Sequence, residues 1–531
     1  MLYFVIHSLA DIMEVFRLRD SLLWGLAAGL LVLFAAGCAV ASDEGGSVPV
    51  YTVADTTGDW GFPSPYAHYS RGPGYTRMSY LFDTLIWKDD GGYVPALAES
   101  WEMEGDDVYV FHLMDGVTWH DGEKFTADDV VFTVDYIQDH PYQWVDSSII
   151  ESVEALDDST VKITLSEPYA PFLDQVGGTL PILPEHIWAE VDDPAGYRDQ
   201  EALVGTGPYT LDLDDYDKVQ GTYRYQAYDD YYLGEPKVEE LRFVKISAPN
   251  AAAELLQGNV NTAGIEPEMI DQLEDDFVIL SVPSHWWNYK LMINHQKEPM
   301  SDKRFRQALA YAIDREKLVE IAARGYGLAG SPGFVPPDND WYNSEMDALR
   351  PHDPAKAEQL LDDMGYEGQQ IELIIKGGDA KAERIGELIE ADLESVGIDV
   401  DLRTMDSKTG DSKVGDWDFD LALSGHGGVI GDPNFLARNT IDMDSFNSAR
   451  YDDNSELTDL LEEQVTETDE DARHDLIDQA QVLYAEDVPA ISLYYTEAFV
   501  AHDGQVDLYY TYNGMALGIP IPLNKLSFVG V

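Results

Sequence analysis

At 531 residues the chain is too long for a single ordinary core; length predicts about two to four domains, and its 45% apolar content is ample to fill them. Lys and Arg number 33 against 99 Asp and Glu, a net charge of -66 spread along the sequence, which makes nucleic acid and anionic lipid poor partners for its surface. A single cysteine excludes a disulfide framework, a C-x-x-C motif and a thiolate metal cluster, and no cofactor or bound metal is expected.

An acidic surface of this kind suits concentrated salt. At about 1 M ionic strength the Debye length is about 3 Å, short enough to screen the self-repulsion. A halophilic source and salt-dependent stability are therefore expected.

At the N-terminus, Arg17 and Arg19 precede an uncharged apolar run, Leu22 to Ala41, that carries Ala35, Ala36, Gly37 and Cys38. Basic, apolar, small is the order of an export signal. The small-small-Gly-Cys ending resembles a lipoprotein processing site. It predicts a signal peptide over 1–37, a lipid on Cys38, and a polar linker over 38–47 that tethers the protein to the outer face of the cytoplasmic membrane. Two alternatives stay open: the run is long enough for an uncleaved spanning helix, and ordinary cleavage would leave no anchor. All three export the rest. Leu18 separates the two arginines, so a twin-arginine signal is excluded, and the residues before Met13 fit no part of a signal and read as a start-site misassignment. No later apolar run is long enough to span a membrane, so the chain is not itself a channel.

In the body of the chain "VYVFHL" (Val108 to Leu113) alternates as a strand, Asp115-Gly116 and Asp121-Gly122 mark turns, and Thr126 is the N-cap of a helix from about Ala127. "DLDDYD" (Asp212 to Asp217) lacks the Gly and distal Glu of a calcium loop. Ser301 is a fair N-cap for a helix whose Phe305, Ala308, Leu309, Ala312 and Ile313 share one face. Asp353 caps a second helix with Pro354 in its first position, Leu360, Leu361 and Met364 inward, and Gly365 at its end. Ile371 to Ile375, a helix over Ala382 to Ser395, a stop at Gly397 and Ile398 to Arg403 form a strand-helix-strand unit that should pair in parallel. Phe419 to Ser424 is the next strand. The loop "HGGVIGDP" after it leaves the carboxyl end of a strand, where open α/β sheets place ligands.

Enzyme motifs are absent. The loop glycines 425, 427, 428 and 431 do not form G-x-G-x-x-G and lack the G-K-[ST] of a phosphate loop. Ser424 has no G-x-S-x-G around it, there is no H-E-x-x-H, and the 12 histidines are scattered without ligand spacing. Catalysis is not expected, and a secreted hydrolase is a distant alternative.

"LAESWE" and "VYVFHLMDGVTWHDGEKFTADDVVFT", then "VGTGPYTL", "YDDYYLGEPKVEELRFVKI", "AAAELLQGNVNTAGI", "INHQKEPMSDKRFRQALAYAIDREKLV", "HDPAKAEQLLDDMGY" and "VPAISLYYTEAF" follow one another in order. Together they resemble the family 5 extracellular solute-binding proteins, the peptide, nickel and oligosaccharide receptors of ABC importers, over nearly the whole mature chain. The resemblance implies an α/β, two-lobed periplasmic-binding-protein-like fold of type II, in its large three-subdomain variety. Lobe I would be 48–283 plus 493–531, with 86–203 inserted, and lobe II 284–492, with crossings near Ser284 to Asn288 and Ser492 to Thr496. It implies a receptor that closes its lobes on a small solute, an oligopeptide first and an oligosaccharide or nickel chelate second, and delivers it to a permease with paired ATPases. A monomer is expected.

The ligand-binding candidates are Arg71, Tyr75, Trp286, Trp287, Trp341, Tyr495 and, in the loop, His426, Gly427, Gly428, Val429 and Asp432. The tryptophans have core or hinge packing as their competing role, and Arg71 and Tyr75 ordinary turn and surface roles. In peptide-binding members the equivalent loop is implied to carry a tryptophan and, three residues on, an aspartate for the peptide's α-ammonium. Aligning on Asp432-Pro433 puts His426 and Val429 at those positions. Valine cannot pair an ammonium, whose burial without a carboxylate costs several kcal/mol. Asp432 stands as the alternative partner, and His426 as a ligand for a metal chelate or hydroxyl, or as a structural histidine.

Overall fold

The strand Val48–Asp55 lies inside a mixed sheet whose order is Val278–Val282, Ala498–His502, Thr262–Ile265, Val48–Asp55, Val238–Lys245, Thr222–Ala227 and Tyr209–Thr210, with Tyr216–Asp217 pairing on Thr222–Ala227. Val48–Asp55 runs parallel to both neighbours and the remaining pairs are antiparallel. The computed structural model describes residues 47–531 other than 90, 283–286, 428–430, 509–510, 516–518, 522 and 530–531. Cys38 with the expected export signal, Trp286, Gly428 and Val429 lie outside the described residues. Among the described residues no helix is long and apolar enough to cross a membrane.

A second sheet is ordered Gly327–Ala329, Ala490–Thr496, Asn288–Ile293, Leu421–His426, Ile371–Lys376 and Val400–Met405. Ile371–Lys376 pairs in parallel with Val400–Met405, as the strand-helix-strand spacing predicts, and in parallel with Leu421–His426. The connecting helix is Ala380–Ser395, begun by Asp379, whose carboxylate accepts the Lys381 and Ala382 amides at 2.9 and 3.2 Å. Gly397 follows with φ 89, the left-handed conformation that lets the chain turn into the next strand.

Two helices pack on this sheet as their sequences dictate. Lys303–Ala312 buries Phe305, Ala308, Leu309 and Ala312, followed by Ile313, against Leu291 and Ile293 of the sheet. Each large side chain contributes about 1.5–3 kcal/mol on burial. Its cap is Asp302, not Ser301: the carboxylate accepts the Arg304 amide at 2.8 Å. Pro354–Met364 begins after Asp353, whose side chain accepts the Lys356 amide at 3.0 Å, and ends at left-handed Gly365.

A third, antiparallel sheet of four strands, Ala98–Met103, Val108–Leu113, Thr160–Leu165 and Ile150–Asp157, forms a separate layer. Helix Ala127–Asp139 closes its core, with the Asp129 carboxylate reaching back to the Thr126 amide at 2.9 Å.

The chain leaves the first sheet after Val282 and enters the second at Asn288. Ala490–Thr496 stays in the second sheet to its end and Ala498–His502 belongs to the first, so the return falls at Glu497, just beyond the expected Ser492 to Thr496. The two passages touch: the Thr496 amide donates to the Trp287 carbonyl at 2.9 Å.

Candidate functional site

The carboxyl end of Thr262–Ile265 in the first sheet and several strand ends of the second sheet converge on one cleft of about 1200 Å³. One wall carries Ser70, Arg71 and Ile265 to Glu268; the other carries Trp287, Tyr289, Lys376, Asp379 to Ala382 and Leu423 to Gly425. Phe446 and Asn447 complete it, and Thr496 to Phe499 lie where the chain passes back. Strand ends gather here because parallel pairing leaves the carboxyl edges of Ile371–Lys376 and Leu421–His426 side by side.

Trp287 lies directly over Gly425. A β-carbon at that position would overlap the indole nitrogen of Trp287 and the Asn288 carbonyl, so glycine is required for the aromatic to reach the wall.

Both signs of charge line the cleft. Arg324 pairs with Glu268 across it, Lys376 with Asp411, and Arg384 with Glu387 at 3.0 Å. Asp379 is engaged in capping its helix. Arg71, Lys381 and Glu266 line the cleft with no ion pair among the described residues. In a chain with three carboxylates per cation, a wall with as many basic as acidic side chains is a local departure.

Of the sequence candidates, Arg71 and Trp287 line this cleft. Tyr75 does not: it is fully buried, its hydroxyl donates to the Thr179 carbonyl at 2.9 Å, and its ring stacks on Trp144 at 4.9 Å. Tyr495 is likewise fully buried, within the cluster that holds Phe334, Leu457 and Tyr484. His426 is the last residue of its strand, opposite Asn288, and not a loop residue. It is buried, its Nδ1 donates to the Gly427 carbonyl at 3.0 Å, and burial, with Lys290 nearby, pushes its pKa down to about 3, so it is neutral. Gly427 is half-buried and serves as that acceptor. Trp286, Gly428 and Val429 are outside the described residues.

Trp341 and Asp432 lie together, but in a second cavity of about 490 Å³. Arg473 grips both oxygens of Asp432 at 2.7 Å and lies 5.0 Å over the Trp341 ring, which stacks on His474 at 3.9 Å. The charge of Asp432 is thus already matched, which removes it as the partner of a ligand ammonium.

A family model, "Bacterial extracellular solute-binding proteins, family 5 Middle", matches residues 92–446. The chain belongs to this family. Members are binding receptors that act outside the cytoplasm, not enzymes, and this solute-binding protein is one of them. It is 29% identical over 443 residues to the dipeptide-binding protein of Escherichia coli (strain K12), covering 76% of this chain and 81% of that one. It is also 29% identical over 439 residues to heme-binding protein A of Haemophilus influenzae, covering 76% and 79%. Among solved structures, the substrate-binding protein CtaP of Listeria monocytogenes superposes with a TM-score of 0.76 at 26% identity, over 86% of this chain and 94% of that one. NikZ of Campylobacter jejuni, in complex with Ni(L-His), shares the fold with a TM-score of 0.74 at 24% identity, over 90% and 98%.

The solute-binding protein also has cleft residues that the sequence reading passed over: Glu266, Tyr289, Lys381, Ser424 and Gly425. One behind the wall did carry a signal. Lys290 interrupts the apolar run of a buried strand, where a cation is rare unless paired.

Proposed function

We propose that this receptor captures short peptides in the 1200 Å³ cleft and hands them to the permease of an ABC importer when its lobes, divided as the sheets divide, close on the ligand. The observation that carries the reading is the cleft's size together with its mixed charge. Its volume exceeds the roughly 300–1,000 Å³ of common small-ligand pockets, and a zwitterionic chain has both a cation and an anion to place. The relatives named for dipeptides and di/tripeptides point the same way.

Glu266 takes the role that neither Val429 nor Asp432 supports. It lines the cleft at the end of Thr262–Ile265 with no ion pair among the described residues, and is the natural partner of a peptide α-ammonium. A nickel chelate held through His426 loses support, because that ring is buried, neutral and absent from the cleft wall. Mass spectrometry of solute co-purified with the receptor tests the reading. Peptides are expected; a sugar or a metal chelate would overturn it. Titration calorimetry of Glu266→Gln should then show weaker binding of free-amine peptides but not of their N-acetyl forms.

The order basic, apolar, small before Cys38 supports lipid attachment at that thiol and residence on the outer face of the cytoplasmic membrane. Cys38→Ser should move the protein from the membrane fraction to the soluble exported fraction. Unchanged fractionation would rule out the lipid.

A further inference from the structure

Lys290 stands in the middle of the second sheet, between Ser424 on one neighbouring strand and Ser492 on the other. It is 4% exposed, and its Nζ donates to the Asn447 carbonyl at 2.8 Å. Among the described residues no carboxylate pairs with it. Ser424 and Asn447 both line the cleft, so the amine lies immediately behind the cleft wall, held by a residue of that wall.

The surroundings are polar but incompletely matched. Two residues along the same strand face, Asn288 donates to Ser492 Oγ at 3.2 Å while its buried Oδ1 has no partner. His426, opposite Asn288, is neutral and supplies no counter-charge. Burial pushes Lys290 down to about 7, with no compensating charge to hold it higher. A lysine without a counter-ion in a protein with a threefold excess of carboxylates is costly unless something else supplies the anion. Its flexible four-carbon stem allows the amine to swing from the Asn447 carbonyl toward the cleft.

We infer that Lys290 is the anchor for an anionic group of the bound solute, a carboxylate, which the ammonium meets at the part of the cleft wall formed by Ser424 and Asn447. This deepens the peptide reading and rests on the cleft being the solute site. On a zwitterionic peptide, Lys290 takes the carboxylate end while the acidic partner of the α-ammonium lies on the opposite wall. No covalent step is involved.

Titration calorimetry on the exported chain, as wild type, Lys290→Met and Lys290→Arg, tests the anchor with three probes: trialanine, its C-terminal amide, and succinate. Wild type should bind trialanine at least tenfold tighter than the amide. Lys290→Met should bind both alike, and Lys290→Arg should keep most of the preference. Methionine is apolar and of similar length, and melting curves of each variant report whether the fold is kept. The same free-acid preference in Lys290→Met would overturn the anchor. If neither peptide binds wild type, the peptide reading fails by itself. Succinate binding that is lost in Lys290→Met then still supports the anchor, and succinate binding that is absent or unchanged in Lys290→Met overturns it.

Discussion

Asp432 and Arg473 face each other as a two-pronged ion pair, both contacts at 2.7 Å, with the side chains 12% and 6% exposed. Removing one charge strands the other. Asp432→Asn should destabilise the protein by roughly 3–5 kcal/mol, the usual cost of breaking a buried pair by one partner. Urea melts would show it as a lower midpoint. Solute affinity of the folded variant should be unchanged, because Asp432 belongs to the second cavity; a large affinity loss at unchanged stability would return Asp432 to the binding site.

Lys290 gives the stability a pH dependence of known sign. Its pKa falls from 10.5 in the unfolded chain to about 7 in the folded protein, because burial disfavours the charged form. The unfolded chain therefore binds more protons between those values, and stability rises with pH across that window, at up to about 1.4 kcal/mol per unit. Below about pH 7 both states are protonated and the full cost of burying the ammonium is present. Lys290→Met removes the term. Its advantage over wild type should be largest near pH 6–7 and shrink toward pH 10, read as the difference between paired melting curves.

Gly425→Ala should disturb the cleft without touching its charges. The added methyl overlaps the Trp287 indole and the Asn288 carbonyl, so the aromatic must leave the wall. Overpacking of this kind costs about 1–3 kcal/mol. Solute binding should weaken about tenfold or more, and the tryptophan fluorescence response to ligand should fall with it. Unaltered affinity would show that Trp287 makes no contact with the solute.

Salt should stabilise this protein strongly. With 99 carboxylates against 33 cations, one-to-one pairing would give a basic partner to only one acidic side chain in three, and the rest repel. Raising ionic strength to about 1 M shortens the Debye length to about 3 Å and removes most of that repulsion. The melting midpoint should rise by several degrees between dilute buffer and molar potassium chloride. A flat response would remove the halophilic reading.

Local structure was the more legible part of the sequence. Asp353, Pro354 and Gly365 bound a helix because each satisfies or relieves backbone groups at a helix end, an effect that needs no tertiary partner. At Ser301 and Asp302 two adjacent capping residues competed, and the carboxylate won the first turn. The site was harder to read because aromatic residues announce apolar surface, not the cavity they face. Tyr494 and Tyr495 should face opposite ways, yet both are buried, since Ala490–Thr496 is covered on both faces. Asp432 and Arg473 are 41 residues apart, so their pairing had no local signature. Arg71 and Trp287 do reach the cleft wall, and both could be named only through the resemblance, which placed them by position in the family fold.

The hydrogen bond from Thr496 to Trp287 makes the stretch between them a loop whose ends already meet. Closing an unfolded segment of more than 200 residues costs only about 0.6 kcal/mol more per doubling of its length, and once the segment is folded with its ends together the host closes around it as around a short hairpin. Residues 288–496 can thus be regarded as a removable cassette. Joining Trp287 to Glu497 through a few glycines should leave the first sheet able to close, and cassettes from receptors with other solute preferences become candidates for grafting at the same seam.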